Sequence, residues 1–134
     1  MTKLSEDVKK VLSANKLFPL ATSSRDGTPN VVPVGMLMLQ PDGETIWIVD
    51  NFMGKTLSNL RENPAASFYV WSADSPDSYQ IKGEVTLEDS GEDYERAVSI
   101  AHARKETLPA KTLIKMRVSE VFYTTPGPKA GKRA

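Results

Sequence analysis

The chain has 134 residues, of which 40% are hydrophobic and 25% are charged, as expected for one globular domain. Seventeen Lys and Arg residues balance seventeen Asp and Glu residues, so we expect neither a nucleic-acid binder nor a polybasic membrane-surface protein. The chain has no cysteine, which excludes disulfides and thiolate sites, and one histidine, which argues against a His-rich metal site or a Ser–His relay. No apolar run approaches the roughly 20 residues of a membrane span. The N-terminus has no apolar signal core, so we expect a cytoplasmic protein.

The first part of the chain is predicted to form one helix and three strands. Ser5 is a typical N-cap, and the residues after it place an apolar stripe at helical spacing. Asp26-Gly27 is a strong hairpin signal, and Pro41-Asp42-Gly43 is typical of a second tight turn. The predicted elements are a helix over 5–15 and strands over 17–23, 30–39 and 45–50.

The second part is predicted to contain two helices and three strands. Asn63-Pro64 ends the first helix, and Gly83 is expected to be a bulge or a close backbone approach. Ser90 and Asp93 resemble a capping box before the second helix. The predicted elements are helices over 54–62 and 91–105, strands over 65–72, 79–87 and 112–124, and a flexible tail over 126–134.

Short strands joined by tight turns favour antiparallel pairing, because parallel crossovers need a dozen or more residues. The predicted fold is mainly β: a six-stranded antiparallel split barrel with short flanking helices. Pro33 cannot donate to a central ladder, so its strand is expected at an edge or at a local opening.

The segment between the third strand and the next helix is a candidate phosphate cradle. Gly54 leads into a helix that begins with Lys55 and Thr56, which combine helix N-terminal amides, a full positive charge and a hydroxyl. The segment is not a Walker A loop, because it has one glycine and the wrong spacing. The alternative is an ordinary surface helix start with a solvated lysine.

The stretch NFMGKTLSNLRENPAASFYVW resembles the signature of the pyridoxamine 5'-phosphate oxidase-like, FMN-binding split-barrel superfamily. The resemblance spans roughly residues 5–124 and implies a single FMN-binding domain over 1–125. It also implies a homodimer with the flavin near the subunit interface. The residues that carry it are Asn51, Lys55, Leu60, Asn63-Pro64, Ala66 and Phe68-Tyr69-Val70-Trp71, with Leu20-Ala21-Thr22, Asp26-Gly27 and Pro29 to Val34 upstream and Tyr79 to Val85 downstream.

Within one subunit the resemblance assigns a phosphate end and a ring end. Lys55 would contact the FMN phosphate, with Thr56 beside it. Asp50 and Asn51 would meet the ring or its polar edge through backbone groups. The strand residues Val32, Pro33 and Val34 would line the ring, mainly through backbone atoms.

Three further residues are assigned from the following strands. Gln80 and Lys82 would reach the ribityl chain or the phosphate. Trp71 would serve its own site or that of the partner, or pack at the interface without touching the flavin.

The sequence also departs from true pyridoxamine phosphate oxidases. Asn30 to Gly35 carries no charge where those enzymes have flanking basic residues, and Met53-Gly54 replaces their Ser-Arg. The arginine-rich C-terminal substrate motif is replaced by Val121 to Thr125. We therefore do not expect oxidation of vitamin B6.

No side chain is identified as a catalytic acid or base. His102 is expected to be a partly covered structural residue on the 91–105 helix. Met36, Met38 and Met53 either line a flavin pocket or fill the core.

Three functional hypotheses remain open. The first is a small FMN flavoprotein, either an electron carrier or an oxidoreductase with a small-molecule substrate or redox partner. The second is a deazaflavin-dependent reductase. The third is a cofactor-free binding or stress-response module on the same barrel.

Overall fold

A computed structural model describes residues 2–134. Its helices are α1 (Glu6–Ser13), α2 (Lys55–Glu62) and α3 (Glu92–Arg104). Its strands are β1 (Phe18–Ser23), β2 (Pro29–Val34), β3 (Leu37–Leu39), β4 (Thr45–Asp50), β5 (Ala65–Val70), β6 (Tyr79–Glu88) and β7 (Thr112–Tyr123). None of the helices in this part of the chain is both long and apolar enough to cross a membrane.

The described strands form one curled antiparallel sheet in the order β2-β1-β5-β6-β7-β4-β3. The mainly β, antiparallel fold predicted from the sequence is confirmed, with seven strands rather than six. The single strand predicted over 30–39 is wrong, because it is interrupted at Gly35 and Met36. There the Gly35 carbonyl accepts a hydrogen bond from Arg104, and the Met36 carbonyl accepts one from the Val49 backbone N–H.

This interruption joins the two opposite edges of the sheet. β2 is one edge of the sheet, as Pro33 predicted, and β3 is the other edge. Three steps of about 3.8 Å separate the Cα atoms of Val34 and Leu37, so the edges meet within about 11 Å. The sheet must therefore curl until its edges are neighbours, which makes a barrel with a split.

The curled sheet encloses the main core. Leu20, Phe68, Ile81 and Ile114 are fully or almost fully buried there. A second apolar cluster fills the space between the outer side of β4 and β7 and helix α3. It contains Met36, Trp47, Val49, Ala97, Ala101, Ala110 and Leu113. This second cluster fixes α3 beside the split.

The two predicted helix caps have different outcomes. Ser5 caps α1 as predicted, since its Oγ accepts from the Val8 N–H at 3.3 Å. The Ser90 capping box is wrong, because Gly91 is the N-cap of α3, at φ 100°, and no side chain caps the helix. Asp93 instead accepts a hydrogen bond from Lys115 Nζ at 2.6 Å, which lowers the pKa of Asp93 and raises that of Lys115.

Gly83 marks a close approach between β6 and β7, as predicted. The strand register shifts between Lys82 and Gly83. A Cβ at Gly83 would collide with the Arg117 carbonyl oxygen and would lie 2.9 Å from Met116 Cγ. The irregularity lets the two strands approach each other where the sheet curls.

The C-terminal residues fold back onto β7. The Gly131 N–H donates to the Tyr123 carbonyl at 2.9 Å, and Lys129 forms an ion pair with Asp77 at 3.0 Å. Arg133 pairs with Glu120 at 3.1 Å. The flexibility predicted for residues 126–134 stays a prediction.

Candidate functional site

A cleft of about 590 Å³ opens beside the split of the barrel. β2 and the β2–β3 connection form one wall, the loop between β4 and α2 forms the floor, and the end of α3 closes one side. The lining residues are Asn30, Val32, Pro33, Val34, Gly35, Met36, Val49, Asn51, Phe52, Met53, Gly54, Lys55, Thr56, Arg104 and Leu108. This volume is typical of a small-molecule site.

One end of the cleft is the start of helix α2. Gly54 is the N-cap and offers no side-chain acceptor, so the first-turn amides are not capped by a side chain. Lys55 is exposed and forms no ion pair with any described residue. Partial positive charge at a helix start and a free ammonium group together favour an anion at this end.

Thr56 is held in place beneath this end. Its side chain is buried, and Asn30 Nδ2 donates to Thr56 Oγ1 at 3.0 Å. Asn30 and Asn59 also approach Thr22 Oγ1, at 3.3 and 3.1 Å. These contacts tie α2 to β1 and β2. The sequence did not predict Asn30 as a site residue, because nothing in the strand pattern distinguishes it from an ordinary residue of an edge strand.

Asp50 supports the floor of the cleft from below. Its side chain is fully buried, and Oδ1 accepts from the Met53 N–H at 2.8 Å. Lys111 Nζ lies 3.9 Å from the same oxygen, while Oδ2 has no hydrogen-bond partner among the described residues. Asn51 Oδ1 accepts from the Ala110 N–H at 2.9 Å. The loop between β4 and α2 is therefore held by one hydrogen bond within the loop and by another to the segment before β7.

Replacing Asp50 by alanine should destabilise the fold by about 1–3 kcal/mol, because it leaves the Met53 N–H without its acceptor. Asp50→Asn keeps an oxygen for that N–H and should cost less. Urea unfolding of both variants measures the difference. An alanine variant as stable as the parent would show that Asp50 does not hold this loop.

The charged residues that line the cleft are all cationic. Lys55 and Arg104 are the charged residues among those that line the cleft, and none of the described lining residues is acidic. Arg104 Nη1 donates to the Gly35 carbonyl at 2.9 Å. In a chain with no net charge, this cleft is a local concentration of positive charge.

The wall between the two cations is mostly apolar. Val32, Val34 and Met36 contribute from β2 and the connection that follows, and Leu108 faces them from beyond α3. Phe52 is 80% exposed at the rim. Met36 and Met53 line the cleft, whereas Met38 packs against the second apolar cluster. Such a surface suits a flat apolar group.

The structure brings most of the predicted site residues together. Six of the ten line the cleft: Val32, Pro33, Val34, Asn51, Lys55 and Thr56. Asp50 lies directly beneath the cleft floor. Trp71, Gln80 and Lys82 do not line it.

These three residues belong to a different surface. Gln80 pairs with Tyr69, and Lys82 pairs with Ser67, so their side chains point to the same side of the sheet as those partners. Lys82 Nζ lies 5.7 Å from the centroid of the Phe122 ring. Trp71 is 61% exposed beyond the end of β5. We call this side of β2, β1, β5 and β6 the outer face.

His102 is more exposed than the sequence predicted. Its Nε2 lies 3.0 Å from the Leu108 carbonyl oxygen, so it contacts the segment that supplies one wall of the cleft. Its structural role is thus a surface contact rather than partial burial in an apolar stripe. Residues 2–134 contain no group of three or more His, Asp or Glu side chains arranged to hold a metal ion.

Comparison with known families defines the class of protein. The family model described as "Pyridoxamine 5'-phosphate oxidase" matches residues 4–125. The chain belongs to this family. A Methanocaldococcus jannaschii protein is 34% identical, and the match covers 98% of this chain and 88% of that protein.

Solved structures confirm the fold. HupZ from Group A Streptococcus has a TM-score of 0.80 at 24% identity, covering 96% of this chain and 99% of its own. An FMN-binding protein from Syntrophomonas wolfei has a TM-score of 0.76 at 19% identity, covering 92% and 89%. An F420 reductase and the heme storage protein HutZ from Vibrio cholerae both have a TM-score of 0.68, at 21% and 16% identity, covering 88% and 90% of this chain and 98% and 94% of theirs. The fold is thus shared by proteins named for FMN, F420 and heme.

Proposed function

We propose that this protein binds FMN in the cleft and acts as a small flavin-dependent oxidoreductase or electron carrier. The observation that carries the proposal is the composition of the cleft: a cationic helix start at one end, an apolar wall and no acidic lining residue. A phosphate monoester joined to a flat ring system matches that arrangement.

The phosphate would lie at the start of α2. Lys55 supplies the positive charge, and the first-turn amides of α2 supply donors that no side chain occupies. Asn30 already donates to Thr56 Oγ1, so the hydroxyl hydrogen of Thr56 remains to donate to a phosphate oxygen. These are the residues expected to fix the cofactor.

The flat part of the cofactor would lie along β2. Val32, Pro33 and Val34 offer apolar atoms, and Pro33 lacks an N–H, so its neighbourhood has one polar group fewer to satisfy. Asp50 and Asn51 hold the facing loop rigid. Bound there, FMN supplies one- and two-electron transfer, while the protein supplies binding and orientation.

Vitamin B6 is not the proposed substrate. The segment 121–125, where the substrate arginines of true pyridoxamine phosphate oxidases would be expected, lies on β7 and just after it, among residues that contact the C-terminal tail. None of the residues 121–125 lines the cleft. We therefore propose FMN as the cofactor of this chain, but not vitamin B6 as its substrate.

We further propose that two copies of the chain pair through the outer face. Val31, Tyr69 and Trp71 are 65%, 53% and 61% exposed on or beside it, which is unusual for large apolar side chains of a monomer. The outer face continues into the cleft at Val32 and Pro33, which border both surfaces. In such a homodimer, Trp71, Gln80 and Lys82 would approach the partner's cleft.

The Lys55→Ala variant tests the cofactor site. The loss of one charge-assisted contact should weaken FMN binding by about 1–3 kcal/mol, measured by quenching of flavin fluorescence. Lys16→Ala is the matched control, because Lys16 is exposed and does not line the cleft. Equal affinity of the Lys55 variant and the parent would remove Lys55 from the site.

The absorption spectrum of the purified protein is the direct measurement. A yellow protein that releases stoichiometric FMN on heating supports the proposal. A colourless protein that takes up no added FMN contradicts it. In that case a deazaflavin is the next ligand to titrate, since the fold is shared with an F420 reductase. Failure of both ligands would favour a cofactor-free module.

A further inference from the structure

The end of the cleft opposite the start of α2 contains a second cation, Arg104, which the proposed phosphate site does not include. Arg104 is the last residue of α3, and its side chain is exposed. Among the described residues, its side chain makes one hydrogen bond, from Nη1 to the Gly35 carbonyl, and no carboxylate pairs with it. A guanidinium group has five N–H donors, so most of them remain free at the cleft.

This cation is well separated from the phosphate end. Asn30 contacts Thr56 at one end of β2, and Gly35 contacts Arg104 just past the other end. Five residue steps of about 3.3 Å separate Asn30 from Gly35 by at most about 17 Å. The two contacts lie at opposite ends of β2, so Arg104 is available to a group other than the phosphate.

The surroundings of Arg104 favour a singly charged oxyanion. The last carbonyl groups of α3 carry partial negative charge, which opposes a dianion at this end. No second cation and no helix start reinforce Arg104 among the described lining residues, in contrast to the situation at Lys55. A guanidinium fork matches a carboxylate in shape and charge.

The remaining surface near Arg104 is apolar. Leu108 and Met36 line the cleft there, and Phe52 stands exposed at the rim. A ligand with a carboxylate at one end and a small apolar body would satisfy both kinds of surface. We propose that Arg104 is the recognition residue for such a carboxylate, a second ligand that binds beside the cofactor. This inference rests on the proposed FMN function and names the class of its substrate.

Benzoate and phenylacetate are the probes, and benzamide is their neutral control. We expect calorimetry to detect both carboxylates binding to the FMN-loaded protein, with a change in the flavin absorption spectrum. Arg104→Gln keeps a polar N–H group at this position but removes the charge, and should weaken carboxylate binding about 10- to 100-fold. Arg104→Lys keeps the charge but loses the paired donors, so its affinity should lie between those of the parent and Arg104→Gln. Arg61→Gln, on an exposed arginine outside the cleft, should change nothing.

The outcomes separate the two proposals. Carboxylate binding that is lost in Arg104→Gln, with FMN affinity and melting temperature unchanged, supports the inference. Weaker FMN binding in that variant, with no effect on either carboxylate, overturns it and assigns Arg104 to the cofactor. Failure of both carboxylates to bind, or equal binding of benzamide, also overturns it. If the protein binds no FMN, the cofactor proposal fails, and the same titrations on the unloaded protein decide the role of Arg104.

Discussion

Replacing Phe68 by alanine should destabilise the protein by about 3–5 kcal/mol. Phe68 is 2% exposed at the centre of the barrel core, and its ring meets that of Phe18 edge-on at a centroid distance of 5.9 Å. The substitution removes the aromatic contact and leaves a cavity that β1 and β5 cannot close, because both strands are held in the ladder. A domain of this size is stable by only about 5–15 kcal/mol, so the loss is large.

Urea unfolding followed by circular dichroism measures this loss as a shift of the midpoint at constant slope. Phe52→Ala is the matched control, because Phe52 is 80% exposed and its removal should change stability by less than about 0.5 kcal/mol. If both phenylalanine variants unfolded at the same urea concentration, the placement of Phe68 in the core would be refuted.

Gly83→Ala should cost about 3 kcal/mol or more, although it adds one methyl group. The new Cβ would collide with the Arg117 carbonyl oxygen, which is backbone in the neighbouring strand and cannot rotate away. β6 and β7 would have to separate at the register shift, and the core around Met116 would be disturbed.

The control is Gly35→Ala, where an added Cβ meets no atom within 4 Å. Thermal unfolding of the two variants should therefore differ clearly, with the Gly35 variant close to the parent. Normal stability of Gly83→Ala would mean that the two strands do not approach each other as closely as described.

Much of the fold follows from short-range signals in the sequence. Thr45–Asp50 was predicted with its observed bounds, because a run of β-branched and aromatic residues follows a tight turn and precedes a helix start at Gly54. The break at Gly35 and Met36 could not be predicted in the same way. It depends on a hydrogen bond from Arg104, 69 positions along the chain, and on one from Val49, and both groups approach only in the folded sheet.

In the candidate site too, some residues are revealed by a local sequence pattern and others are not. Lys55 and Thr56 are adjacent and follow a glycine, so a local pattern reveals them. Arg104 and Leu108 reach the cleft from a distant helix and the loop that follows it, and no local pattern marks them. Gln80 and Lys82 lie on a predicted strand whose burial alternates in the structure, but a strand prediction does not reveal which side of the sheet faces the cleft.

The two edge strands also determine how this sheet can meet another chain. β2 contains Pro29 and Pro33, which have no N–H to offer, and β3 is only three residues long. An extended segment of another molecule therefore finds too few free main-chain groups to lengthen the sheet. Copies of this protein that associate through the outer face would do so by side-chain packing, with each hydrogen-bonded ladder complete within its own subunit. Such subunits could separate and recombine without any strand leaving its sheet.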